Sequence, residues 1–260
     1  MKLRVRSVTV PGVLVVMTLL LSGCFYSSAR YHMSKDPDTR PWWCHSHMGH
    51  DDHEGEGGHG DHGHEHYEGV QKGMLSWSDC LALSQHLDNA LEFAQQFPTL
   101  GEAEAAGWVR TVNYATGMGT HHRNPNTGIL PAPGVFNPDE PTYLQYDGNG
   151  ANAKLVGMSW YVNSGPTPPA GFPGDNDWWH VHPQLCLSSS TGLVIRDGPC
   201  QPGDNGTTID LSNYWMVHAW IVPGWTYKPD IFINHHPCLL PGGPAGPDHE
   251  CWAMARGESM

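Results

Sequence analysis

A single long helical period, followed only by short alternating runs, limits what this chain can fold into. Over residues 78–97 the apolar positions Cys80, Leu83, Leu87, Ala90, Leu91 and Ala94 recur at intervals of three and four, and Pro98 ends the run. Thr99 and Glu102 have capping-box spacing, and Gly107 is placed to close a short second helix. Downstream, residues 108–114, 142–146, 154–162, 214–222 and 231–238 read as strands, with a further hairpin from 185–187 to 193–195. Asp147-Gly148-Asn149-Gly150 is a hairpin turn between two of them, and Pro- and Gly-rich loops fill 125–141 and 165–177. The predicted fold is mainly β (α+β): an antiparallel β-sandwich or barrel-like body with one or two N-terminal helices packed on it.

The beginning of the chain reads as an export leader. Lys2, Arg4 and Arg6 precede an apolar run over 13–21, too short for the roughly 18 residues that span a bilayer. The run ends in Leu21-Ser22-Gly23-Cys24, which resembles the lipobox of bacterial lipoproteins. The resemblance implies cleavage before Cys24 and acylation of that residue, giving a stable membrane anchor. Phe25 stands where inner-membrane retention favours Asp, which implies the outer membrane of a diderm host. The expected organisation is a signal peptide over 1–23, a tether over 24–72 and one β-rich domain over 73–260. The expected location is the cell envelope, on the periplasmic side of the outer membrane or at the cell surface.

That address bears on the cysteines. With Cys24 lipidated, Cys44, Cys80, Cys186, Cys200, Cys238 and Cys251 form an even set in an oxidising compartment, where disulfides are the expectation and thiolate metal ligation the alternative. Cys186 and Cys200 flank turn residues 188–192 as a closed hairpin would, and Cys238 with Cys251 would clip down the C-terminal tail. The sequence does not choose among the other pairings.

Histidine is the other bias. His45, His47, His50, His53, His59, His62, His64 and His66 crowd into residues 45–66 among Asp51, Asp52, Glu54, Glu56, Asp61 and Glu65, with no Lys or Arg between. So little apolar surface cannot offset the entropy of ordering, so the tract is expected to be disordered. It reads as a low-specificity chelating arm for copper or zinc, with a solubilising spacer as the plain alternative. The net charge of −13, with no clustered base, excludes a nucleic-acid surface.

Within the β-rich part, Asp177-Trp178-Trp179-His180-Val181-His182 puts two imidazoles on one face if the segment is extended. His218 lies between Met216 and Trp220 on one face of its strand, either a satisfied core histidine or a third ligand. The adjacent His121 and His122 point to opposite faces of an extended chain, so at most one belongs to the same site. His235 and His236 form a second adjacent pair and are weaker candidates, as is His122. No His-Glu-x-x-His helix, Gly-x-Ser-x-Gly elbow or phosphate loop is present, which removes support for the common motif-bearing hydrolases and nucleotide binders.

Gly174, followed by His180-Val181-His182, resembles a fragment of the cupin pattern, but Cys186 stands where a cupin carries Glu. A longer resemblance runs over residues 100–239. Met118-Gly119-x-His121, Pro138-x-x-Pro141-x-x-Leu144-x-Tyr146, Leu155-Val156-Gly157 and His218-x-Trp220 look like the motifs of a broad family of uncharacterised secreted or lipid-anchored bacterial proteins. This implies that His121 and His218 belong to a shared pocket; the family lends no activity. The expected function is that of an extracytoplasmic, lipid-anchored metal-binding protein holding copper or zinc through His121, His180, His182 and His218. One alternative is a metal-dependent mononuclear oxygenase or hydrolase using the same ligands. The other is a structural surface lipoprotein whose histidines are incidental.

Overall fold

The computed structural model describes residues 42–44 and 75–258, apart from 135 and 175. The expected signal peptide, Cys24, most of the tether and the His-rich tract lie outside the described residues. Ser76 caps the long helix α1 (Trp77–Ala94) by accepting from the Asp79 amide. Thr99 and Glu102 form the expected capping box on α2 (Leu100–Ala105).

Eleven strands follow among the described residues, and the protein is mostly β, 17% helix and 29% strand. β1 (Val109–Ala115), β2 (Gly119–Arg123), β3 (Tyr143–Tyr146), β4 (Leu155–Asn163), β5 (His180–Val181) and β9 (Tyr214–Ala219) build a curled antiparallel half-barrel in the order β1-β2-β3-β4-β9-β5. β6 (Gln184–Ser188), β7 (Val194–Asp197) and β8 (Gly206–Asp210) form a second sheet in the order β7-β6-β8. The chain ends in the pair β10 (Leu239–Leu240) and β11 (Gly243–Pro244) and the short α3 (Cys251–Ala255).

The two faces of the half-barrel differ in chemistry. Leu144, Tyr146, Met158, Trp160, Val162, Val217 and Ala219 share one buried cluster with Cys80, Leu83, Leu87, Ala90 and Ala94 of α1. This dry face is the main core, with α1 packed on it as expected. Side chains alternate along a strand, so the partners of these residues fall on the opposite face. There Tyr143, Tyr161 and Leu211 are covered by Leu185 and Ile209 from the smaller sheet.

Three disulfides tie down the periphery. Cys44–Cys80 pins a point within the predicted tether to α1, Cys186–Cys200 closes the β6–β7 hairpin, and Cys238–Cys251 fastens α3 to the segment before β10. The six cysteines are thus oxidised, which overrides thiolate ligation and places the domain in an oxidising compartment outside the cytoplasm. Among the described residues, no helix is long and apolar enough to cross a membrane.

One expected strand is absent. Residues 231–238 are turns and irregular chain, because their backbone groups go elsewhere than to a sheet edge. Ile231 O accepts from Trp220 N, Ile233 N donates to Asp230 O, and His236 N donates to Gly117 O. The segment wraps around Trp220 instead of extending beside it.

Gly157 is where this wrapping meets the sheet. A Cβ at residue 157 would lie 2.6 Å from Gln145 Oε1 and 2.7 Å from the Trp220 ring. Trp220 is fully buried and cannot move aside cheaply. Gly157→Ala is therefore expected to destabilise the protein by about 1–3 kcal/mol through overpacking, read as a lowered urea midpoint with unchanged slope.

Candidate metal centre

The second face of the half-barrel carries a buried polar row. Register places His121 of β2 opposite Gln145 of β3, Gln145 opposite Gly157 of β4, Ser159 opposite His218 of β9, and Met216 opposite His180 of β5. Because side chains two apart share a face, His121, Gln145, Ser159, His218 and His180 all lie on this side. His121, Gln145, Ser159, His180 and His218 are each at most 4% exposed. The loop ahead of β5 is set by Asp177, whose carboxylate accepts from Phe172 N and Trp179 Nε1. Trp179 packs in the main core, so its neighbour His180 turns to the polar face.

The four imidazoles expected to act together are gathered in a row. Ring centres are 5.5 Å apart for His121 and His218, 5.2 Å for His218 and His180, and 5.0 Å for His180 and His182. His121 Nε2 lies 3.4 Å from His218 Nε2. Two nitrogens bound to one tetrahedral ion at about 2.0–2.1 Å would be separated by roughly 3.3–3.4 Å.

Proton positions follow from the partners. His218 Nδ1 is 2.8 Å from the Asn234 carbonyl, an acceptor only, so Nδ1 carries the hydrogen and Nε2 presents its lone pair. Gln145 Nε2 donates to His121 Nε2 across 3.0 Å, so that nitrogen is unprotonated and its lone pair is engaged by the amide. An ion between the two nitrogens would take the place of the Gln145 amide on His121. A proton is a poor choice there. Burial, reinforced by the neighbouring imidazoles, lowers the His121 pKa to about 3 and holds His218 well below the ordinary histidine value. His182 Nδ1 lies 3.1 Å from Asp197 Oδ2, the carboxylate–histidine arrangement that commonly orients a metal-binding imidazole. The donors thus suit a borderline metal ion such as copper or zinc. Among the described residues, no group of three or more His, Cys, Asp or Glu is arranged so that it could hold an ion.

The weaker candidates lie elsewhere. His122 turns to the other face, where Nε2 accepts from Arg110 Nε at 3.3 Å and the ring meets Tyr146 edge-on. Burial and the Arg110 charge lower its pKa to about 4, against the opposing effect of Glu104. His236 is boxed by Trp220, Trp225, Tyr227 and Trp252, and its Nδ1 accepts from Cys238 N. It is a core histidine, with burial lowering its pKa to about 4. His235 is exposed and packs close against Gly117, near enough to His218 for their charges to repel.

Gln145, Ser159, Asn234 and Asp197 are the site residues that sequence reading missed. Strand pairing alone brings the first two to the histidines, and a backbone carbonyl such as that of Asn234 has no signature in sequence. No protein-family model, curated protein or solved structure matches the chain. Its function has to be read from these side chains.

Proposed function

We propose that this is an extracytoplasmic metal-binding protein that holds a copper or zinc ion on the histidine face of its half-barrel. His121 and His218 are the central ligands, with His180 and His182 alongside. The observation that carries the reading is the 3.4 Å separation of His121 Nε2 and His218 Nε2, with the other nitrogen of His218 tied to the Asn234 carbonyl. Incidental histidines would be scattered over the fold; here four line up across three strands and the residue beyond the last. The leader extends the proposal to a lipid anchor at Cys24, in the outer membrane or at the cell surface. The tract over 45–66 would gather ions for the buried site.

A second reading, a metal-dependent oxygenase or hydrolase, is favoured by Tyr143, whose ring lies 6.0 Å from that of His121. It needs the same ion, so the test of binding comes first.

Wild-type protein and a His121→Ala/His218→Ala variant, equilibrated with copper or zinc and dialysed, are compared by elemental analysis and thermal unfolding. The His-rich arm is common to both. Ions that bind folded and unfolded chain alike add little stability, whereas an ion that binds only the folded state, as one in the buried site would, raises Tm. The wild type is expected to retain about one more ion per chain than the variant and to gain about 3–4 kcal/mol of stability at a hundredfold to thousandfold excess over Kd. Equal metal content, with no stabilisation of the wild type, would overturn the proposal.

A further inference from the structure

The ion is only half of what the polar face is built to receive. Ser159 is fully buried, lies opposite His218 on one side and Tyr143 on the other, and its Oγ has no hydrogen-bond partner among the described residues. Gln145 Oε1, from the neighbouring strand on the same face, is also buried without a partner. Leaving such a group unpaired costs about 1–3 kcal/mol, and an apolar side chain at residue 159 would avoid that cost. An orphan hydroxyl that can donate and an orphan carbonyl that can only accept thus stand beside the facing nitrogens of His121 and His218. A ligand that both accepts and donates hydrogen bonds satisfies the two together, and water or hydroxide is the smallest that does.

We propose that the ion keeps one exchangeable position on this side, filled by a water or hydroxide that accepts from Ser159 Oγ and donates to Gln145 Oε1; a small anion in its place would accept from Ser159 Oγ and, with the amide turned over, from Gln145 Nε2. The proposal rests on the metal reading above and makes Ser159 a positioning residue for the exchangeable ligand, with no bond to the ion. It also separates a site that can exchange a ligand from a closed storage site, in which protein side chains fill every position.

The test uses the full-length protein loaded with copper(II) and titrated with azide, followed by the azide-to-copper charge-transfer absorption and by electron paramagnetic resonance. The wild type is expected to show a saturable band. Ser159→Ala is expected to weaken azide by about tenfold or more, the loss of one hydrogen bond to a charged group, while copper affinity changes by less than about threefold. Ser159→Cys, close in size and a weaker donor, should fall between them; it also serves if the alanine variant folds poorly. Absence of an azide band in a wild type that does bind copper would overturn this proposal alone. So would azide binding to Ser159→Ala as tight as to the wild type. Failure of the wild type to bind copper beyond the level of the His121→Ala/His218→Ala variant would overturn the metal reading, and this proposal with it.

Discussion

Metal-free protein taken from pH 7 to pH 5 is expected to lose most of its folding stability. His121, His122, His218 and His236 are each at most 4% exposed, and burial holds the folded-state pKa of each below the ordinary value of 6.5. A depressed histidine pKa makes the neutral form the one that belongs to the fold. Its contribution is complete above the unfolded value and falls as the pH drops below it, because the unfolded chain then takes up protons that the folded chain refuses. Each such imidazole costs about 1.4 kcal/mol per pH unit once the pH is below 6.5, down to its folded-state pKa. His121, His122 and His236, with folded-state values of about 3 to 4, together cost on the order of 5–6 kcal/mol by pH 5, and His218 adds in the same direction, a loss comparable to the whole stability of an ordinary domain. Urea unfolding at pH 7, 6 and 5 should show the midpoint falling steeply over the last interval. A midpoint that stays level would mean that these imidazoles are not held neutral. An ion on His121 and His218 would leave this slope unchanged, because the unfolded chain still takes up those protons, and would raise the stability at every pH at which it stays bound to the folded state.

Only part of this arrangement was legible in the sequence. Alternation along 214–222 put Met216, His218 and Trp220 on one face, and β9 keeps that division, with Val217 and Ala219 in the main core. The adjacent pair His121 and His122 was expected to divide between faces, and does. The preference for His121 over His122 rests on the motif resemblance alone, because alternation does not say which face of β2 meets the site until its pairing with β3 is known. The same holds for Gln145 and Ser159, ordinary residues in a strand whose importance comes from what lies opposite them. The Cys44–Cys80 bridge was hidden for a related reason: its ends are separated by 36 residues that include the His-rich tract, and no hairpin joins them.

The misread strand over 231–238 has a physical cause that bears on the site. Its apolar run Ile231-Phe232-Ile233 looks like a half-buried edge, but the sheet already has Trp220 at the end of β9 demanding a partner. Trp220 N donates to Ile231 O at 2.8 Å, and its indole Nε1 donates to Ile233 O at 2.6 Å. Both carbonyls that could have served a ladder are consumed by one tryptophan. Local pattern predicts a strand here, and tertiary packing overrides it.

Trp220→Ala should therefore damage fold and site together. The side chain is fully buried, lies over Gly157, and has its ring 5.3 Å from that of His236 and 5.9 Å from that of His218. Truncating a buried tryptophan typically costs about 3–5 kcal/mol, part from lost transfer energy and part from the cavity left behind. The Ile233 carbonyl also loses its indole donor. Asn234 follows directly, and its carbonyl is what holds the hydrogen on His218 Nδ1. With residues 231–234 released, His218 can take either tautomer, and the nitrogen offered to an ion is no longer fixed. Trp220→Phe separates the two effects. It fills much of the volume but leaves Ile233 O without the indole hydrogen bond, so it should cost less stability than alanine, about 1–3 kcal/mol, and still weaken metal binding by about tenfold. Urea unfolding of the metal-free variants, with copper titration of each, reads both quantities. If Trp220→Phe binds copper as tightly as the wild type, the Asn234 carbonyl is held by the rest of the 231–236 segment and the tryptophan acts through packing alone.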